Sequence, residues 1–367
     1  MRKKLRIAVL YNEPVIGTEA SRKYISENGL LQEGPAVPAH ERKRLKSALP
    51  PGVDLSEVGV VEEMEDIKEA LTSLGYKAIV MNVDSDIHRL ITFLREEKPD
   101  LIFNLVESIE NESVLEMNVS ALYELFKIPY TGAGPLALGT ALNKPRVKEI
   151  LFANGIKTPA HQVFKVSDKI AVKDGMEFPL IVKPAREDAS VGISEKSVVC
   201  SLNELRRQVR YIWAEFEQPA LVEQFIDGRE LNVAIVGNKK PIVLPISEID
   251  FSGLTPGMHK IVSYAAKWLN GTVEYEGTKG VCPAELPAAT EAELKAIALK
   301  CYELIGCRDY ARVDFRLSAE GTPYVLEVNP NPDISDDAGF ARSAKAYGYA
   351  FPQIIGKIVE SALERVQ

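Results

Sequence analysis

The chain has 367 residues, 46% hydrophobic and 26% charged, which is ordinary globular composition with enough apolar material for two or three domains. Lys plus Arg number 44 against 52 for Asp plus Glu, a net charge of −8, which argues against a nucleic-acid partner but leaves room for a local cationic site that takes anionic small molecules. No apolar run reaches the roughly 20 residues a bilayer span needs, and the basic start at Met1 leads into an apolar stretch too short for a secretory signal. Cys200, Cys282, Cys301 and Cys307 form no C-x-x-C pair, so neither zinc nor a disulfide framework is expected, and a cytoplasmic location is.

Leu5–Tyr11 reads as a buried parallel strand. Residues 12–54, broken by Gly and Pro and carrying Arg42, Lys43 and Arg44, read as a long loop or insertion. Val61–Leu74 has helical spacing and ends at Gly75; Lys77–Val83 is a strand, Ile87–Glu97 a helix, Asp100–Leu105 a strand and Ser113–Phe126 a helix, with a strand edge at Pro129–Gly132. That alternation predicts an open parallel α/β sheet, with ligands near strand ends at Asn12, Asp84 and Glu107.

From Lys144 the texture turns to α+β. A helix over Lys144–Asn154 is followed by strands at Leu180–Lys183, Ala220–Gln224, Glu230–Val236 and Pro241–Ile249. Helix Thr290–Ile305, strands Ala311–Leu317 and Pro323–Val328 joined by a hairpin at Gly321, and a last helix near Tyr349–Arg365 complete the chain.

Three segments carry chemistry. On Arg312-Val313-Asp314-Phe315-Arg316 and Leu326-Glu327-Val328-Asn329, alternate residues share a face, so Arg312, Asp314 and Arg316 point one way, as do Glu327 and Asn329 on the neighbouring strand. Two carboxylates and an amide oxygen make a hard-oxygen site suited to Mg²⁺, and Val313, Phe315, Leu326 and Val328 form the apolar reverse face. The alternative is a solvated ion-pair ladder. Second, Lys183 ends an apolar strand and leads into Arg186–Ser194, a loop able to fold over phosphates. Third, Glu223 and Glu230 flank a Gly228 turn that could hold a purine and a ribose or be a plain hairpin. The four histidines form no cluster; His259 alone is near these segments and reads as a loop residue.

In this order the segments resemble the ATP-grasp superfamily, and within it the D-alanine–D-alanine ligase family; Leu142-Asn143-Lys144, Val281-Cys282-Pro283-Ala284 and Tyr264-Ala265-Ala266-Lys267-Trp268 add to the match. The resemblance implies an N-terminal open parallel α/β (pre-ATP-grasp) domain over 1–132, with the 12–54 insertion, then a two-subdomain ATP-grasp fold: a central subdomain 133–226 and a C-terminal subdomain 227–367. It implies ATP and two Mg²⁺ ions (Mn²⁺ can substitute). Lys144, Lys183 and Ser190 would lie at the phosphates, Glu223, Phe225 and Ile226 at the adenine, and Glu230 at the ribose. Asp314, Glu327 and Asn329 would bind metal, with Arg312 and Lys267 as catalytic groups. The implied reaction joins a small carboxylate to a small amine through an acyl phosphate. The partners are those small molecules, not nucleic acid or membrane, and a homodimer is expected.

The chain departs from the family where substrates bind. No Glu can be assigned in the turn after the first strand, Ala189 stands where the family has a serine, and Trp268 stands where it has a tyrosine. Asn329-Pro330-Asn331-Pro332-Asp333-Ile334-Ser335-Asp336-Asp337 replaces the segment that holds the second substrate's carboxylate, and its acids would repel one. Glu107, Asp333, Asp336 and Trp268 are therefore candidate substrate residues, with acceptors other than D-alanine expected; Asp336 and Asp337 could instead cap the following helix. A genuine D-alanine–D-alanine ligase and a nucleotide-binding protein without catalysis are the alternatives.

Overall fold

A computed structural model describes residues 4–13, 22–25, 31–34, 59–110, 112–335 and 338–366. Most of the 12–54 segment, and Asp336 and Asp337, therefore lie outside the described residues.

The first sheet is parallel and three-stranded. It is built from β1 (Arg6–Tyr11), β4 (Lys77–Asn82) and β5 (Leu101–Leu105) in the order β4-β1-β5, while β2 (Arg22–Ile25) and β3 (Leu31–Gly34) pair with each other as a separate hairpin. Ile102 and Tyr130 form a parallel bridge, so the expected strand edge at Pro129–Gly132 does extend this sheet. β5 is buried from end to end, and β1 from Ile7 onward, because helices cover both faces. Val60–Ser73 packs on one side, where it shares a core with the C-terminal helices Gly339–Tyr347 and Phe351–Glu364. Ile87–Glu97, capped by Asp86 through the amides of His88 and Arg89, and Glu116–Leu125 lie on the other. The first strand and the last helix are thus held in one apolar cluster.

The second sheet holds β6 (His161–Phe164), β7 (Leu180–Pro184), β8 (Val198–Val199) and β9 (Ala220–Gln224), antiparallel in the order β6-β9-β7-β8. Helix Leu202–Phe216 covers it through Leu205, Val209 and Ile212. The third sheet contains β10 (Gly228–Val236), β11 (Ile242–Val243), β12 (Ser247–Asp250), β13 (Lys279–Val281), β14 (Tyr310–Ser318) and β15 (Pro323–Asn329). Its order is β13-β12-β10-β14-β15, with β11 beside β10. Helices Ala288–Ile305 and Lys144–Ala153 back it.

Three expectations need correcting. Pro241–Ile249 is two short strands rather than one, since Pro241 and Pro245 bring no N–H to a ladder. The helices Pro135–Leu142, Leu202–Phe216 and Gly339–Tyr347 had no counterpart in the sequence reading. Leu326 does not share the core face with Val328. The β14–β15 register slips between Asp314 and Phe315, Leu326 is the extra residue of the bulge, and its side chain faces the cleft instead.

Candidate active site

A cleft of about 1990 Å³ runs between the three sheets. Its floor is the polar face of β10, β14 and β15. The register sets Arg312 beside Asn329, Asp314 beside Glu327 and Asn232, and Arg316 beside Glu230, so one sheet face collects every charged residue of this hairpin expected to share a face. The Arg312 guanidinium holds Asp314 with two parallel hydrogen bonds of 2.8 Å, Nε to Oδ1 and Nη2 to Oδ2. Asn329 Nδ2 donates to Asp314 Oδ2 at 2.9 Å and to Glu327 Oε1 at 3.4 Å, and Asn232 Nδ2 donates to Asp314 Oδ1 at 2.7 Å. Burial works against the Glu327 charge, but Lys144, Lys183 and Arg312 around it hold its carboxyl down at about 2.

These residues fit a hard divalent cation. Two carboxyl groups and an amide converge, and turning the Asn329 amide over would present its oxygen. Among the described residues no three His, Cys, Asp or Glu side chains are placed to hold a metal ion by themselves, so a cation here would complete its shell with water or phosphate oxygens.

The wall formed by the second sheet is cationic at depth. Lys183 Nζ lies 3.1 Å from Glu223 Oε1, and Lys148 reaches the same oxygen at 2.8 Å from behind. Lys144 is buried: its ammonium donates to Asp188 Oδ1 at 2.9 Å and to the Glu187 carbonyl, and lies 3.7 Å from Glu327 Oε2. Burial disfavours that charge, yet Asp188 and Glu327 raise the Lys144 pKa above its ordinary value. Asp188 and Lys144 thus partner each other, and Lys144 sits beneath the cleft surface rather than on it. Glu230 pairs with Arg316 at 2.7 Å. Phe225 lines the cleft, but its N–H is already given to the Pro179 carbonyl; Ile226 also lines it.

The cover consists of the loop over 186–193 and the segment that carries the short helix Tyr264–Trp268. Ser190 Oγ donates to the Val262 carbonyl at 2.9 Å, Trp268 Nε1 donates to the Ala189 carbonyl at 3.0 Å, and the Lys267 ammonium lies 5.1 Å from the centre of the Trp268 ring. His259 is paired with Glu195, Nδ1 to Oε1, at 2.6 Å and is not a cleft residue.

The far end of the cleft is acidic. Glu63, Glu107, Glu116 and Asp333 all line it. Burial, with Asp333 and Glu107 nearby, pushes the Glu63 carboxyl well up, although it accepts from the Ile334 amide at 3.3 Å. Burial and Glu107 do the same to Glu116, which accepts from Asn331 Nδ2 at 2.9 Å. Asp333 turns one oxygen onto its own segment, accepting from the Ser335 amide and hydroxyl. Arg342 also lines the cleft and gives its Nε–H to Ser247 Oγ at 3.0 Å. Sequence reasoning missed Glu63, Glu116, Lys148, Asn232 and Arg342. Two had a local signal: Lys148 lies four residues after Lys144 on one helix face, and Asn232 lies two after Glu230 on one strand face.

Comparison with known proteins agrees with this architecture. The family model for the D-Ala–D-Ala ligase C-terminus matches residues 152–360. The D-alanine–D-alanine ligase of Pelotomaculum thermopropionicum is 30% identical over 315 residues, covering 82% of this chain and 91% of that one. An uncharacterized protein of Sinorhizobium fredii, y4sG, is 32% identical over 310 residues, covering 82% and 87%. The crystal structure of D-alanine–D-alanine ligase from Bacillus anthracis complexed with ATP aligns with a TM-score of 0.70 at 21% identity, covering 98% of both chains, and a second structure of that ligase reaches 0.73 at 22%. The shared fold, the long match over the second and third sheets and the relatives' identity place this chain in the D-alanine–D-alanine ligase family of ATP-grasp proteins.

Proposed function

We propose that the protein is an ATP-dependent ligase that joins a small carboxylate to a small amine through an acyl phosphate, with a cationic acceptor in place of plain D-alanine. The observation that carries the reading is the position of Arg312. It lies between the Asp314–Glu327–Asn329 array on one side and an acidic cleft end on the other.

Asp314, Glu327 and Asn329 would hold Mg²⁺, two ions in the full complex; the metal would neutralise charge on the phosphate tail. Lys183 and Lys267 both line the cleft, where they would meet that tail from the wall and from the cover. Arg312 keeps its guanidinium oriented through Asp314, ready for the negative charge that develops as the amine adds to the activated carboxyl. The cover segments tied by Trp268 and Ser190 would exclude water that would otherwise hydrolyse the acyl phosphate. Glu107 and Asp333 would attract a second positive charge and repel a carboxylate, and a bound cation would draw the raised carboxyls of Glu63 and Glu116 toward ionisation.

The test is ADP release against a matrix of D- and L-amino acids, diamines and dipeptides. Acceptors with an extra cationic group should exceed D-alanine by about tenfold, a difference of about 1.4 kcal/mol. Best turnover with D-alanine as both substrates would favour the second reading, a genuine D-alanine–D-alanine ligase, which the names of several relatives support. No amine-dependent release with any pair would leave a nucleotide-binding protein.

A further inference from the structure

Lys148 is a fully buried cation behind the cleft. It is 0% exposed, on the helix Lys144–Ala153, and does not line the cleft. Its ammonium donates to Thr158 Oγ1 at 2.8 Å and to the Leu326 carbonyl at 3.5 Å, and lies 2.8 Å from Glu223 Oε1. Glu223 is itself 1% exposed, and the same Oε1 is 3.1 Å from Lys183, which does line the cleft. Two ammonium groups therefore share one carboxylate oxygen, and the trio carries a net charge of +1.

The arrangement matters because a buried carboxylate must be matched by positive charge. With Lys148 in place, the Glu223 charge is balanced from behind, and the surplus charge resides on Lys183, the one of these two lysines that lines the cleft. Without Lys148, Lys183 is the cation left beside Glu223 Oε1. The pair would then cancel, and an ion pair presents a dipole to the cleft where a net charge stood before.

We propose that Lys148 is a positioning residue that keeps Glu223 from neutralising Lys183, and so leaves Lys183 free to attract the anionic tail of the nucleotide. This rests on the nucleotide reading above. It assigns Lys148 an electrostatic task on a ligand it never touches.

The experiment is calorimetric titration of the full chain with tripolyphosphate and Mg²⁺, a probe of the phosphate tail that has no base or sugar. Thermal melting of each variant checks the fold. K148M should bind at least tenfold more weakly than the unchanged protein. K148M/E223Q restores the net charge of +1 and should return to within about threefold, whereas a lysine that served only to fill space would give no such rescue. E223Q alone should bind at least as tightly as the unchanged protein. Undiminished binding by K148M, or a double variant no tighter than K148M, would overturn the inference alone. If K148M does not fold, the decision passes to the other two: E223Q weaker than the unchanged protein, or a double variant more than tenfold weaker, overturns it. Failure of the unchanged protein to bind either tripolyphosphate or ATP with Mg²⁺ would remove the nucleotide reading and this inference together.

Discussion

Trp268 donates its indole N–H to the carbonyl oxygen of Ala189 across 3.0 Å, joining two cover segments 79 positions apart in the chain. Ala189 has a left-handed backbone at φ 52°, and Ser190 beside it at φ 62°, so the turn that presents this carbonyl is held against local preference. Ser190 to Val262 and the Tyr264 amide to Ile193 complete the seam. Trp268→Phe keeps the ring over Lys267 and removes only the donor. A net hydrogen bond of about 1 kcal/mol corresponds to roughly fivefold more frequent opening. Hydrogen exchange across 186–193 should rise by that factor, and ATP hydrolysis without amine should rise relative to ligation.

Asp314→Asn keeps the shape and removes the charge that holds Arg312. Asp314 is 6% exposed and is bound by Arg312, Asn329 and Asn232, so breaking the pair should cost about 3 kcal/mol. A cooperative thermal transition should survive at lower temperature, while ADP release falls by about a hundredfold or more.

Glu187 gives a signed pH effect. Burial pushes its carboxyl up to about 7, against the hydrogen bond from Gln218 and the Lys144 charge. The folded protein therefore binds this proton more tightly than the unfolded chain, whose value is about 4.5. The contribution is fully present below pH 4.5 and is lost as pH rises through 7. Partial exposure makes it on the order of 2 kcal/mol. In chemical denaturation, Glu187→Gln should gain stability relative to the unchanged protein between pH 4.5 and 7.5; a parallel pH dependence of the two would refute the assignment.

Gly228 opens β10 at φ +151°, and a Cβ there would meet the Leu317 carbonyl oxygen at 2.1 Å. Backbone on β14 cannot step aside, because Gly228 pairs with Ser318 in the same ladder. Gly228→Ala should therefore lose on the order of 3 kcal/mol or give no soluble protein, as read by denaturant midpoint.

Some features were legible because their signal is local. Alternation along Arg312–Arg316 and Glu327–Asn329 placed the charged face of the hairpin correctly, since side-chain direction in a strand depends only on position. Leu326 was misplaced because a bulge changes that count, and no residue in the run announces one. The helix Leu202–Phe216 was overlooked although Ser201 caps it and Leu205, Val209 and Ile212 recur at helical spacing.

The order of strands and helices, the family resemblance, and the set of cations and carboxylates follow from the chain itself, because period and residue type are properties of short stretches. The pairing of those charges does not. Lys148 against Glu223, Lys144 against Asp188, and Glu63 and Glu116 gathered at one end of the cleft join residues from separate elements. Only the packing of three sheets around a common gap brings them within hydrogen-bond or Coulomb range, so tertiary structure alone decides which charges are spent on each other and which remain for a ligand.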